Sequence, residues 1–346
     1  MQKDNGLTTK PIPGVIAQLA IPASIGMFFN TMDNVVDTWF SGLISTEAIA
    51  ALSLSFPVFF VILAIGFGIS TGATALIANA LGAGDEKEAQ LYAIQSLSFT
   101  VILSLLLSIL GLYSAPHLFM ILGAKGSYLS ISLAYINVIF FGLVFFSLTY
   151  VLNAILAAQG DTKSFRNVLI MGFFLNLIFD PWFIYGGLGL PALGLAGVAW
   201  ATIFIQFLST LFMGVRVMRS GIICKDCWGM FWPRRRYFAE IAAQGFPARL
   251  NTMTIAIGIF IITWFLSRFG QATVAAYGIA TRVDQIALLP IMGLTTATLT
   301  LVGQNNGAGL FDRCREAYHK ALLYGILVTT VSMIIVFCAP RAIMQA

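Results

Sequence analysis

Long apolar segments constrain this sequence more than any single motif does. A membrane-spanning helix needs about 20 mainly apolar residues, and nine stretches are long enough. They are residues 13–42, 49–80, 90–114, 128–157, 164–186, 192–218, 237–268, 274–305 and 315–338. Charged residues make up 10% of the 346 positions, against about 25% in soluble domains. The sequence therefore predicts an all-α polytopic membrane protein.

The second feature is an internal repeat at a shift of 225 residues. Gly82-Ala83-Gly84 returns as Gly307-Ala308-Gly309, and Pro22-Ala23 returns as Pro247-Ala248. Two homologous halves in an apolar chain are typical of secondary transporters, which bind their substrates near the membrane midplane.

The repeat divides the chain into three parts. Six spans form a first lobe over 1–218, a basic cytoplasmic linker covers 219–236, and three spans form a partial second lobe over 237–346. By comparison with the first half, we expect the second half to lack about three spans. Either the gene is truncated, or a partner chain supplies the rest.

Basic residues predict the orientation. With a cytoplasmic N-terminus, only Lys125, Arg268 and Arg341 fall in outer loops. The inner loops then hold Lys87, Lys163, Arg166, Arg216, Arg219, Lys225, Arg234, Arg235, Arg236, Arg313 and Arg315. The positive-inside rule therefore predicts a multi-pass protein of the cell (inner or plasma) membrane with its N-terminus in the cytoplasm. The basic charge marks topology or anionic-lipid contact, and we expect no nucleic-acid partner.

Motifs of enzymes are missing from the sequence. It contains no HExxH, no P-loop and no GxSxG, so we expect a protein that is not an enzyme and has no cofactor. Cys224 and Cys227 form a single CxxC. One pair is weak evidence for a metal or redox site, and two ordinary thiols are the simpler interpretation.

Acidic residues inside the spans are candidates for function. They are Asp33, Asp37, Asp180 and Asp284. A carboxylate at a helix centre costs roughly 2.5–3.5 kcal/mol on insertion scales. Asp33 and Asp37 are four residues apart and share a helix face. Because two ionised carboxylates repel each other there, we expect them to take up a proton or a cation.

A second polar group is predicted on the fifth and sixth spans. Asn176 and Asp180 are again four residues apart, and Pro181 can free the carbonyl of Leu177. Thr202 adds a hydroxyl at a similar depth. These hard oxygen ligands suit a proton or Na⁺ held at Asp37 and Asp180. The alternative is a buried structural polar network.

The remaining candidates are less specific. Phe28, Met27, Trp39, Gln206 and Asn251 are candidates for the substrate cavity, although such side chains more often pack or face lipid. In the second lobe, Asp284 can form a polar pair with Arg282 or Arg249. Such a pair serves transport or simply holds helices together.

Several motifs together resemble the multidrug and toxin extrusion (MATE) family. They are Asn34-Val35-Val36-Asp37-Thr38, Gln159-Gly160-Asp161-Thr162-Lys163, Asn176 with Asp180-Pro181, Ala276 to Gln285, and Gly303-Gln304-Asn305-Asn306-Gly307-Ala308-Gly309. The resemblance covers about residues 13–340. It implies a two-lobe helical bundle with six helices in the N-lobe and, here, an incomplete C-lobe. It also implies a cation site at Asp37, Asn176, Asp180 and Thr202.

The resulting hypothesis is an antiporter, expected to be a monomer, that uses H⁺ or Na⁺ to export cationic amphiphilic drugs or toxins across the lipid bilayer. One alternative is an inert truncated fragment of such an exporter. Another is a lipid-linked saccharide flippase of the same broad superfamily. A flippase needs basic residues facing its cavity, and only Arg249 and Arg282 lie within spans.

Overall fold

The computed structural model describes residues 6–121, 124–187, 189–223, 228–268 and 271–338. Within these ranges the chain forms nine α-helices and one 3-10 turn at Trp228–Phe231. The helices are α1 Ile12–Ile44, α2 Thr46–Gly82, α3 Glu86–Ile121, α4 Gly126–Ala158, α5 Lys163–Tyr185, α6 Leu195–Ser220, α7 Arg235–Ser267, α8 Gln271–Gly307 and α9 Phe311–Cys338. The all-α prediction is confirmed.

Helix length and composition support membrane insertion. Six segments are long and apolar enough to cross a membrane, considering only the described residues. They are α1, α3, α4, α5, α6 and the part of α9 at 311–334. Hydrogen bonds from one helix to another satisfy hydroxyl groups in the apolar interior of the bundle. Ser70 Oγ, for example, donates to the carbonyl of Tyr150 at 3.0 Å, and Ser108 Oγ donates to that of Phe140 at 2.6 Å.

Most of the helices are longer than the apolar spans predicted, with α5 and α6 as the exceptions. Helix α3 begins with two acidic residues, Glu86 and Glu88, and runs through Pro116 to Ile121, whereas its predicted span covers 90–114. Acidic side chains in a first turn favour the positive end of the helix dipole, so the helix extends beyond its apolar part. Helix α1 likewise continues through Pro22.

The turn after α2 and the turn after α8 have the same structure. In the first, Ala83 N, Gly84 N and Asp85 N donate to the carbonyls of Asn79, Leu81 and Ala80. In the second, Ala308, Gly309 and Leu310 repeat this pattern on the carbonyls of Gln304, Asn306 and Asn305. Gly84 and Gly309 adopt φ values of 74° and 71°, which glycine reaches without steric cost. The sequence repeat is therefore also a structural one.

Helix α4 lies at the centre of the first half, α1–α6, where it packs on α2, α3 and α6. Helix α1 packs on α5 and also on α8, while α2 contacts both α7 and α8. The first half therefore interlocks with the second half, α7–α9, through α1 and α2.

The contacts place the start of α1 and the ends of α2, α4, α6 and α8 on one side of the bundle. This basic side carries the loops rich in Lys and Arg. Residues 228–240 are held there against α3. Buried Gln95 donates to the carbonyls of Met230 and Trp232 and accepts from Arg234 N.

Candidate functional site

Four of the predicted polar residues meet between α1 and α5. Asp33 and Asp37 lie one turn apart on α1, and Asn176 and Asp180 lie one turn apart on α5. Asn176 Nδ2 donates to Asp33 Oδ1 at 2.8 Å and to Asp37 Oδ1 at 2.6 Å. A single amide therefore bridges both carboxylates of α1 and joins the two helices.

Asp180 is the most deeply buried acid of this cluster, with 0% of its surface exposed. Neither of its carboxylate oxygens meets a hydrogen-bond donor, and the same is true of Asn176 Oδ1. The carboxyl of Asp37 lies beside that of Asp180, within hydrogen-bonding range if one of them carries a proton. Because an unpaired buried charge is very costly, the cluster favours a bound proton or a cation.

Two tyrosines from α4 also border the cluster. Tyr135 lies close enough to Asp37 and Asp180 to interact with them electrostatically, and Tyr150 is similarly close to Asp33. Both side chains are buried. Sequence reasoning missed them, because a tyrosine in an apolar span has the same signature whether it packs or binds.

The predicted residues on α6 lie near one another, but the structure gives them different roles. Thr202 Oγ1 donates to the carbonyl of Val198 in its own helix at 2.8 Å, so its hydroxyl hydrogen is not directed at the carboxylates. Gln206, one turn further along α6, has a buried Oε1 without a donor. Gln206 was predicted for the substrate cavity rather than for the cation site.

The aromatic and thioether candidates on α1 fall on two faces. Phe28 and Trp39 are 44% and 58% exposed, and each lies against its neighbouring phenylalanine, Phe29 or Phe40. Met27 is half-buried and packs against the core of the first half. Phe28 and Trp39 thus lie on the exposed surface of α1, whereas Met27 contributes to packing.

Six other predicted residues cannot be placed. Arg249, Asn251, Arg282 and Asp284 lie in α7 and α8 outside the residues whose side chains the structure describes. Cys224 and Cys227 lie outside the described ranges. The polar pair of the second half and the CxxC remain predictions.

A cavity of about 1100 Å³ lies away from the carboxylates, between α2, α7, α8 and α9. Its walls include Leu294, Thr298 and Val302 from α8 and Tyr318 and Gly325 from α9. Through the repeat, these α8 positions correspond to a surface of α2 that is covered by α4 in the first half. None of the described residues in its walls carries a carboxylate or a basic group, so we do not assign the cation chemistry to this cavity.

The donor set at α1 and α5 consists of carboxylate and amide oxygens. Such hard oxygen ligands suit a proton or an alkali cation, whereas transition metals favour imidazole and thiolate. No group of three or more His, Cys, Asp or Glu side chains converges as a metal site, as far as the described residues show.

Membrane-spanning helices in two homologous sets, with carboxylates buried between two of the helices, define a secondary transporter. The MatE family model matches residues 22–182 and 247–346, and the chain therefore belongs to the MatE family. This membership confirms the resemblance noted in the sequence and the prediction that the protein is a transporter rather than an enzyme.

Known relatives resemble this chain both in sequence and in structure. A protein of Shewanella oneidensis named FAD transporter is 28% identical over 336 residues, covering 95% of this chain and 73% of that protein. The probable multidrug resistance protein NorM of Thermotoga maritima is 27% identical in an alignment of 348 positions that covers 99% of this chain and 74% of that protein. A multidrug resistance MATE family transporter solved in an outward-facing conformation has a TM-score of 0.90 at 27% identity, covering 99% of this chain and 76% of that one.

Proposed function

We propose that the protein is a cation-coupled exporter that moves cationic amphiphilic molecules out of the cell in exchange for H⁺ or Na⁺. One observation carries this proposal. Asp180 is wholly buried beside Asp37, and neither of its oxygens has a donor. A carboxylate held in this way binds a proton or a small cation in one state of the transport cycle and is unfavourable without it.

The coupling follows from the charge on the cluster. When the carboxyls of Asp37 and Asp180 hold no coupling ion, their negative charge attracts a lipophilic cation into the protein. When they hold H⁺ or Na⁺, that attraction is lost and the drug is released. Because binding free energies are reciprocal, the drug lowers the affinity for the coupling ion by the same factor.

The proposed direction of transport depends on the orientation. Basic residues on the side where α1 begins favour a cytoplasmic N-terminus, which places Asp37 and Asp180 in the outer half of their helices. A coupling ion entering from outside then reaches these carboxylates over a short distance. We propose that one copy of the protein is sufficient for this exchange.

The test is export of a fluorescent cation, such as ethidium, from vesicles containing the purified protein. We expect Asp37→Asn to reduce export to the level of protein-free vesicles, while its insertion and yield stay unchanged. Asp85→Asn, in the exposed turn after α2, is the matched control and should export normally. Normal export by Asp37→Asn would refute the assignment.

The same vesicles distinguish the two coupling ions. Export driven by a pH gradient without Na⁺ identifies H⁺, whereas export that requires a Na⁺ gradient at uniform pH identifies Na⁺. Both outcomes are compatible with the oxygen ligands of Asp37, Asn176 and Asp180.

A second substrate class comes from the Shewanella oneidensis relative, which is named FAD transporter. FAD carries a negatively charged diphosphate, unlike a cationic drug. Loading the vesicles with FAD tests this candidate directly. Coupled release of FAD without release of ethidium would change the substrate class and leave the proposed coupling site in place.

A further inference from the structure

Two aromatic side chains are exposed on the segment that joins the two halves, although its backbone is held firmly. Trp232 has 80% of its surface exposed and Phe231 has 37%. Beneath them, buried Gln95 of α3 donates to the carbonyl of Trp232 at 2.9 Å, and Ser98 Oγ donates to that of Phe231 at 2.9 Å. These hydrogen bonds fix the segment on α3 and leave its aromatic side chains on the outer surface of the bundle.

Three arginines follow the aromatic residues, and two of them have no acidic partner. Arg236 pairs with Glu240 at 2.9 Å and with Glu88 at 3.6 Å. Arg234 and Arg235 are exposed, and neither forms an ion pair with any residue that the structure describes. Helix α7 begins at Arg235, where a positive charge is opposed by the helix dipole. Helix stability therefore does not explain these two arginines, whereas an anion from outside the protein would compensate both.

This exposed patch lies near the border between the lipid headgroups and the hydrocarbon. Helix α3 carries no charged side chain from residue 89 to residue 116, a length of about 42 Å. Because the hydrocarbon is about 30 Å thick, the first turns of this uncharged part cross the headgroup layer, and Gln95 lies close to its inner border. Trp is typical of this interface, and Arg attracts the anionic lipids of the cytoplasmic leaflet.

An apolar strip on the surface of α3 continues from the patch toward the middle of the membrane. Ile102, Leu105 and Ile109 are 38%, 51% and 66% exposed. Their spacing places them on one face of the helix, the face that carries Ser98 beneath the joining segment. From Ser98 to Ile109 the strip is about 17 Å long, and the hydrocarbon of one leaflet is about 15 Å thick. The strip therefore offers an acyl chain an apolar surface that starts at the arginines.

We infer that Trp232, Arg234 and Arg235, together with the apolar strip of α3, form a binding site for one anionic phospholipid. The two guanidinium groups bind the phosphate, Trp232 covers the glycerol region, and an acyl chain lies along the strip. A lipid bound there holds the segment between the halves at the membrane surface. The site is separate from the carboxylate cluster, and the inference does not depend on the exporter function proposed above.

Native mass spectrometry tests the site on the full chain. The purified protein in detergent is titrated with palmitoyl-oleoyl phosphatidylglycerol and, separately, with phosphatidylcholine of the same chains, and the mass resolves each bound lipid. We expect the parent protein to bind the first phosphatidylglycerol more tightly than the first phosphatidylcholine. An arginine beside an anionic headgroup contributes about fivefold in affinity. Replacing both, as Arg234→Gln with Arg235→Gln, should therefore weaken the first phosphatidylglycerol about 20-fold and leave phosphatidylcholine unchanged.

Lys163→Gln with Arg219→Gln is the matched control, because it removes the same net charge. Both residues are exposed on the basic side, at the start of α5 and in the last turn of α6, and this double variant should bind phosphatidylglycerol as the parent does. Elution from a sizing column checks that each variant folds. If the variant with both Arg234 and Arg235 replaced does not fold, the two single variants take its place, each with an expected loss of about fivefold.

Glycerol 3-phosphate distinguishes a lipid site from a site for free anions, because it has the charge of the headgroup without acyl chains. We expect millimolar glycerol 3-phosphate to leave the bound phosphatidylglycerol in place, and displacement of the lipid would overturn the inference. Unchanged lipid affinity after replacement of Arg234 and Arg235 would also overturn it. So would an equal loss in the control variant, which would show that binding follows total charge. None of these measurements needs a substrate or an ion gradient, so their failure is distinct from failure of the proposed export.

Discussion

At the scale of single residues, the amide of Asn176 joins the two carboxylates of α1 to α5. It donates to Asp33 and to Asp37, and a hydrogen bond to a charged group contributes about 1.5–3 kcal/mol. We expect Asn176→Leu to lower the thermal unfolding midpoint of the purified protein at neutral pH, because two neighbouring carboxylates lose their common donor.

Asn167→Leu provides the comparison on the same helix. Asn167 is exposed and accepts hydrogen bonds only from the adjacent Arg166 among the contacts found here, so its replacement should leave the midpoint nearly unchanged. Equal midpoints for the two leucine variants would show that the Asn176 amide contributes nothing to stability.

The acids could be predicted from the sequence, but their environment could not. Asp37 and Asp180 stand out because a charge in an apolar span is costly. Their approach across α1 and α5 depends on tertiary packing, and so does the proximity of Tyr135. Thr202 shows that a similar depth in the membrane does not predict which partner a side chain contacts. It lies at a similar level, yet its hydroxyl hydrogen bonds within its own helix.

At the scale of elements, Asp161 fixes the turn between α4 and α5. Its carboxylate accepts from Ser164 N at 3.0 Å and from Arg216 Nη2 at 3.0 Å. Burial raises the pKa of Asp161, but the hydrogen bonds from Ser164 and the charge of Arg216 outweigh it and hold the pKa below its ordinary value.

Because the folded-state pKa is below the unfolded value of about 3.9, the stabilisation by Asp161 is present above that pH and is lost as the pH falls through the folded pKa. The ion pair is partly exposed, so it is worth about 1 kcal/mol or less. We expect Asp161→Asn to unfold at a slightly lower temperature at pH 7, with the difference shrinking as the pH is lowered below about 3.9. A difference that stays constant as the pH falls through the acid range would contradict this account.

The segment at 228–234 is held by two side chains of α3, Ser98, whose Oγ donates to the carbonyl of Phe231 at 2.9 Å, and Gln95, which makes most of the contacts. Gln95 has 0% of its surface exposed and holds this segment through Met230, Trp232 and Arg234. We expect Gln95→Ala to accelerate amide hydrogen exchange in the segment, because its backbone groups lose their fixed partner. Gln90→Ala, at a half-buried position of the same helix, is the control, and equal exchange in both variants would refute the role of Gln95.

At the scale of the whole molecule, the sequence repeat predicted which residues are equivalent but not which ones touch. A repeat fixes correspondence within each half, whereas the axis that relates the halves depends on how their surfaces pack. Gly82 in α2 lies against the backbone of Gln304 in α8. This contact had no signal in the sequence beyond the two matching glycines, Gly82 and Gly307. The nine helices did have such a signal, because apolar length alone requires them.

Orientation in the membrane determines whether the proposed exchange exports or imports its substrate. With the four cysteines replaced, Lys125→Cys lies before α4 and Lys87→Cys lies on the basic side, and both positions are exposed. Because loops rich in Lys and Arg stay in the cytoplasm, an impermeant maleimide added to intact cells should label only Lys125→Cys. Lys87→Cys should react after the membrane is permeabilised. The reverse pattern would place Asp37 and Asp180 nearer the cytoplasm and turn the proposed exporter into an importer.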